Sequence, residues 1–191
     1  GKCAYRALLE EVYTTPKPGL VDMYSSGAHK DMDVRTFEKS AEALYPWFIR
    51  MAAQGMHFQG SPENLFLEIR KTGMNAEKAM YEATGGVNTH KGLIFTLGIF
   101  CAAAGRLCGV EGKKFTLRDL CQMQQEMTNR ILQEELKDIP KRSARSHGEQ
   151  NLRKYGTAGI RGEALTGYSS VFWLALPVME RGIFEGHDWN L

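Results

Sequence analysis

Leu93-Ile94-Phe95-Thr96-Leu97-Gly98-Ile99-Phe100-Cys101-Ala102-Ala103-Ala104-Gly105-Arg106-Leu107 is a run with almost no polar position. A helix that is apolar all round has no face to give to water, so this one is expected at the centre of the molecule. From Leu93 to Gly105 it has only thirteen residues before Arg106, short of the roughly 20 needed to cross a bilayer. It therefore reads as a buried helix and not as a membrane span. Gly98 and Gly105 within it imply close approach of neighbouring helices.

Before this run stands Thr84-Gly85-Gly86-Val87-Asn88-Thr89-His90-Lys91-Gly92. Glycine permits positive φ and lets a ligand come close, and the start of the following helix offers unpaired N–H groups to an anion. The stretch reads as a phosphate-facing turn. It lacks the spacing of a P-loop, and no strand precedes it. A plain helix-to-helix corner is the alternative reading.

The N-terminal side is helical in pattern. Ala4, Ala7, Leu8 and Val12 recur at helical spacing until Tyr13, because Pro16 and Pro18 cannot continue a helix. The loop from Thr14 to Met32 has no hydrophobic periodicity and carries Lys17, Asp22, His29, Lys30 and Asp31, a density of ionisable groups that favours function. Asp33 caps a helix whose buried stripe is Phe37, Ala41, Leu44, Phe48 and Met51, ending at Gly55, with a kink expected at Pro46. Ser61-Pro62 opens what reads as two short helices broken at Gly73.

On the C-terminal side, Thr116 and Asp119 open a long helix with Leu120, Met123 or Gln124, Met127, Ile131 and Leu136 as its spine, stopping before Pro140. Lys141 to Lys154 has the composition of a linker or solvated face. A second glycine knot follows, Tyr155-Gly156-Thr157-Ala158-Gly159-Ile160-Arg161-Gly162-Glu163-Ala164, and then a helical run from Tyr168 to Glu180. No stretch alternates over a strand's length, so the expected fold is all-α, one helical domain spanning 1–191.

The chain carries 24 basic and 22 acidic residues, a net charge of +2, which excludes the basic footprint of a nucleic-acid binder. Cys3, Cys101, Cys108 and Cys121 lack metal spacing and read as core thiols of a reducing cytosol. Trp47, Trp173 and the Met-rich stripe are likewise assigned to the core, and His57 and His187 receive no role. The chain begins at Gly1 inside an amphipathic pattern, so no signal peptide is expected and the chain reads as trimmed.

Four motifs then coincide in order: Thr15-Pro16-Lys17-Pro18-Gly19-Leu20-Val21-Asp22, Gly27-Ala28-His29-Lys30-Asp31-Met32, the Thr84 to Gly92 stretch, and Gly159-Ile160-Arg161-Gly162-Glu163-Ala164. Together they resemble the ATP:dephospho-CoA triphosphoribosyltransferase family, the triphosphoribosyl-dephospho-CoA synthases. The likeness runs from about Glu11 to Pro177, and Ser146-His147-Gly148-Glu149 fits it too. Ser25 stands where the family usually has Asn. Family members continue beyond the equivalent of Leu191, so the resemblance implies a fragment.

The resemblance implies that the ribose 2′-hydroxyl of 3′-dephospho-CoA displaces adenine from C1 of the ATP ribose and leaves the triphosphate intact. The product is the prosthetic-group precursor of citrate lyase or malonate decarboxylase, passed to an acyl carrier protein by another enzyme. Such a transfer needs a base, a proton for the leaving group and a carboxylate near the cationic sugar; the triphosphate needs cations, Mg²⁺ among them. On this basis Lys17, Lys91 and Arg161 are candidates for the phosphates, Asn88 and Thr89 line the same turn as substrate-binding residues, and His90 there is a catalytic candidate that orients a phosphate or ribose hydroxyl. Asp31 and Glu163 are candidate bases or metal ligands, His29 can share a metal or set the protonation of Asp31, and Asp22, Glu149 and His147 stand behind them. Each has a bland alternative: solvated Lys or Arg, Asp31 as a helix start, Glu163 as a structural partner of Arg161. A cytoplasmic enzyme with no membrane or nucleic-acid partner is implied, and homo-oligomerisation is left open. The rival readings are a metal-dependent helical nucleotide hydrolase and a non-catalytic helical binding module.

Overall fold

A computed structural model describes residues 1–109, 114–139 and 147–187, except the side chain of His147. Eight α-helices and no strands are found among the described residues, as the periodicity implies. They are α1 (Lys2–Tyr13), α2 (Val34–His57), α3 (Pro62–Ala83), α4 (Lys91–Gly109), α5 (Leu117–Asp138), α6 (His147–Tyr155), α7 (Gly159–Leu165) and α8 (Leu176–Phe184), the last entered through a π-helical turn at Val171–Ala175. The helix starts are fixed by local chemistry. Asp33 and Thr36 form a capping box at α2, Thr116 and Asp119 do the same at α5, and the Ser61 hydroxyl accepts from Asn64 N–H ahead of Pro62 at α3.

The apolar run is the body of α4, and α4 is the hub, packing on α2, α3, α5 and α7. By length and composition alone Lys91–Gly109 is apolar enough to cross a membrane. In this fold Ile94, Ile99, Ala102, Ala103 and Leu107 are buried instead in a core shared with Leu44, Phe48, Phe66, Met80 and Met127. The α2–α4 crossing is made possible by glycine. A Cβ at Gly55 would overlap the Ala102 carbonyl, and one at Gly105 would overlap the Ala52 carbonyl, so the two backbones approach at a distance no other residue allows.

Several expectations are corrected. Residues 62–83 form one helix, not two short ones. A glycine inside a helix costs only about 1 kcal/mol relative to Ala, and the buried face Leu65, Phe66, Ile69, Thr72, Ala76 and Met80 continues across Gly73. The C-terminal part of the supposed linker is helix α6, with Glu149 buried; positions 141–146 lie outside the described residues. Trp173 is 79% exposed, so it is not core, while Trp47 does pack against the core. None of the four cysteines is buried: Cys3 and Cys108 are exposed, Cys101 and Cys121 half-buried, all as free thiols. Apolar spacing reports that a face is apolar and not whether anything covers it.

Candidate functional site

The first glycine knot ends α3 and starts α4. Gly85 and Gly86 take φ of 66° and 92°, and Gly86 N–H donates to the Tyr81 carbonyl at 2.8 Å, the six-to-one bond that closes a helix through left-handed residues. Val87 to His90 then reverse the chain, and the Asn88 side-chain oxygen accepts from Lys91 N–H at 3.3 Å. Asn88, Lys91 and Gly92 consequently face one side of the turn and Thr89 and His90 the other.

On the first side lies a cleft of about 950 Å³. Asn88, Lys91 and Gly92 of the first knot line it together with Gly159, Ile160 and Arg161 of the second. Glu149 on α6 lines it too, as do Arg70, Lys71 and Glu77 on α3. Its charged lining is four cations against two carboxylates, an excess of two positive charges. Within it Lys91 pairs with Glu77 and Arg161 with Glu149 at 3.5 Å. Arg70 makes a bidentate pair with Glu135 at 2.5 and 2.8 Å while its guanidinium covers the Phe66 ring. The deeper lining is apolar, with Met51, Phe66, Ile69, Phe95 and Ile99.

A match over residues 1–191 connects this chain to the family described as CitG, ATP:dephospho-CoA triphosphoribosyl transferase. The chain belongs to that family. It is 40% identical, over 97% of this chain and 59% of the relative, to a probable 2-(5''-triphosphoribosyl)-3'-dephosphocoenzyme-A synthase of Photobacterium profundum. A protein of the same name from Pectobacterium carotovorum is 42% identical over 95% of this chain and 60% of its own length. The 2-(5''-triphosphoribosyl)-3'-dephosphocoenzyme-A synthase of Klebsiella pneumoniae is 41% identical over 97% and 61%. The chain thus spans about three fifths of the length of the curated relatives it matches. No solved structure matches it.

In this member of the family, Asn88, Lys91, Glu149 and Arg161 are brought together by the cleft, and the other candidates lie elsewhere. Lys17 does not line it; its Nζ is held by the Glu11 carbonyl at 2.6 Å and the Glu11 carboxylate at 2.8 Å, closing the end of α1. Asp22 staples its own loop. Its carboxylate accepts from the N–H groups of Tyr24 and Ser25 at 2.9 Å and of Lys17 at 3.1 Å. These bonds, led by that of Tyr24, hold its carboxyl below the usual carboxylate range. The Ser25 hydroxyl accepts from Gly27 N–H at 3.0 Å. His29 and Asp31 stand 4.0 Å apart, both solvent-accessible, and Asp33, not Asp31, starts α2.

On the far side of the knot, Thr89 donates to the Ser40 hydroxyl at 2.7 Å, and Ser40 lies 2.7 Å from His90 Nδ1. His90 is only 1% exposed, and burial pushes its pKa down to about 4. Ser40 accepts from Thr89 and shares a second hydrogen bond with Nδ1, whose direction is set by the ring tautomer. Nε2 has no hydrogen-bond partner. Glu163, half-buried on α7, accepts from the Ser170 hydroxyl at 2.5 Å, while the carboxylate beside Arg161 is Glu149.

Among the described residues no three His, Cys, Asp or Glu side chains converge as a metal-ligand group. A magnesium ion that shares its coordination with phosphate oxygens needs only one or two carboxylates. Glu77 and Glu149 in the cleft are donors of the right kind. Arg70 and Glu77 escaped the sequence reading because charges on an amphipathic helix look like an ordinary solvated face. Their spacing from Gly73, three residues before and four after, was the available signal, since it puts all three on one helix face.

Proposed function

We propose that the cleft between the two glycine knots binds the triphosphate of ATP. In this proposal the chain carries that part of an enzyme in which the 2′-hydroxyl of 3′-dephospho-CoA displaces adenine from the ATP ribose. One observation carries the reading: the cations flanked by glycine in both knots, Lys91 and Arg161, line the same cleft beside the N-terminus of α4. The positive end of that helix adds to the two side chains in attracting an anion. Lys91 supplies a mobile point charge and Arg161 a planar fork, two complementary ways to hold phosphate oxygens.

Both cations are already neutralised, by Glu77 and Glu149. Binding therefore requires exchange: the cations turn from carboxylate to phosphate, and the carboxylates are freed for a magnesium ion accompanying the nucleotide. When bound, that ion supplies further neutralisation of the triphosphate. Asp31 and Glu163 remain the proposed base and metal carboxylates, with His29 beside Asp31. Lys17, Asp22, Thr89 and His90 are proposed to hold the loop and the knot in shape, because their polar atoms are engaged within the protein. The product is proposed to pass, through another cytoplasmic enzyme, to the acyl carrier protein of a lyase or decarboxylase.

The test is release of free adenine from ATP, dependent on dephospho-CoA and Mg²⁺ and followed by chromatography, alongside calorimetric ATP binding. Lys91→Ala is expected to weaken ATP binding by at least tenfold and leave the melting temperature nearly unchanged, because its ion pair is half-exposed and worth under about 1 kcal/mol. Unchanged affinity in the folded variant removes Lys91 from the site. Phosphate released in place of adenine turns the reading to nucleotide hydrolysis.

A further inference from the structure

Gly73 has no structural need to be glycine. It lies inside the regular helix α3, and a Cβ there would meet only the Met51 methyl at 3.9 Å, an ordinary contact. The same side of Gly73 faces the cleft, where Met51 and Gly98 of α4 also form part of the lining. Met51, only 1% exposed, spans the gap between the two glycines, since a Cβ at Gly98 would press on its Sδ at 2.6 Å. Gly73 thus leaves the apolar floor between α3 and α4 open, and Gly98 makes room for the Met51 side chain at its base.

This floor stands in a fixed relation to the charged end of the cleft. On α3, Glu77 lies one turn from Gly73; on α4, Lys91 lies seven residues before Gly98, an axial separation of about 10 Å. That separation is comparable with the one between the base and the outer phosphates of an extended nucleoside triphosphate. Half-buried Phe95, edge to face with the fully buried Phe66 at a centroid distance of 6.2 Å, gives the floor an aromatic wall suited to a flat ring.

We propose that the floor at Gly73 and Gly98 receives the purine ring of an adenine nucleotide, with the phosphates directed to Lys91 and Arg161. This rests on the reading of the cleft as the triphosphate site. ATP and dephospho-CoA both carry the ring, and each is tested separately. Gly73→Leu fills the floor from a half-buried helix position and leaves Lys91 and Arg161 in place, and circular dichroism with thermal melting verifies its fold.

Calorimetry on the 191-residue chain then compares ATP, dephospho-CoA and inorganic triphosphate. The expected result is a loss of at least tenfold in affinity for ATP, for dephospho-CoA or for both, with triphosphate binding unchanged within twofold; the ligand that loses affinity is the one whose ring sits at Gly73. Wild-type affinity for both nucleotides in folded Gly73→Leu overturns the proposal, and so does an equal loss for triphosphate. If the unaltered chain binds none of the three, the triphosphate reading itself fails and takes the inference with it.

Discussion

At the scale of single residues, His90 shows how burial decides chemistry. A histidine in a glycine-rich turn is a candidate for orienting a substrate, yet here the ring is packed edge-on against Phe37, with centroids 4.9 Å apart, and burial lowers its pKa from 6.5 to about 4. The unfolded chain therefore takes up the proton first as pH falls. The neutral ring's contribution to stability is complete above pH 6.5 and is lost progressively as the pH drops toward 4. Between pH 7 and pH 5 the loss is on the order of 2 kcal/mol. The carboxyls of Asp22, Asp33 and Glu63, held below their ordinary values, act at lower pH, so this interval isolates the histidine. Urea unfolding at the two pH values is expected to report that difference in the native chain and a much smaller one in His90→Gln. The amide keeps a partner for Ser40 and does not titrate. An unchanged pH dependence would mean that the ring is hydrated and not sealed.

At the scale of elements, glycine serves two opposite ends. At the α2–α4 crossing a methyl group on Gly55 has nowhere to go, because the Ala102 carbonyl occupies its place. Gly55→Ala is expected to destabilise the fold by about 2 kcal/mol or more. Gly73→Ala meets only the Met51 methyl at an ordinary contact distance and is expected to stabilise by up to about 1 kcal/mol through helix propensity. Chemical denaturation of the two variants checks the pair, and a common sign would refute the distinction. The same contrast explains what could be read from the sequence. Helix starts at Asp33, Ser61 and Thr116 were legible because a cap is a local bond between residues three apart. The central position of α4 was legible because thirteen nearly apolar residues leave it no other place. Gly73 was misread as a break because its spacing was weighed without the buried face that runs through it. In the site, Lys91 and Arg161 stood out beside glycines, whereas Arg70 and Glu77 become part of it only through the fold that sets α3 against α4.

At the scale of the molecule, the C-terminal end differs from the rest. Helices α1 to α5 bury their apolar stripes in a common core, but α8 packs chiefly on the π-helical turn that precedes it. Trp173, Leu174, Val178, Ile183 and Phe184 are 59 to 93% exposed, a concentration of large apolar side chains beyond what scattered surface residues produce. Phe172 alone of this region reaches back to the core. Removing apolar groups from this face costs the fold almost nothing, because they make no buried contacts; surface substitutions of this kind change stability by less than about 0.5 kcal/mol. Val178→Lys combined with Phe184→Ser is therefore expected to melt within about 2 °C of the native chain. The same variant should bind less of an apolar fluorescent dye and associate less at high concentration in sedimentation. Trp173→Phe is expected to remove a tryptophan emission readily quenched by acrylamide, since that indole is 79% exposed. A large drop in melting temperature for the double variant would show instead that α8 packs against the core in solution, and the exposed face would then have to be withdrawn.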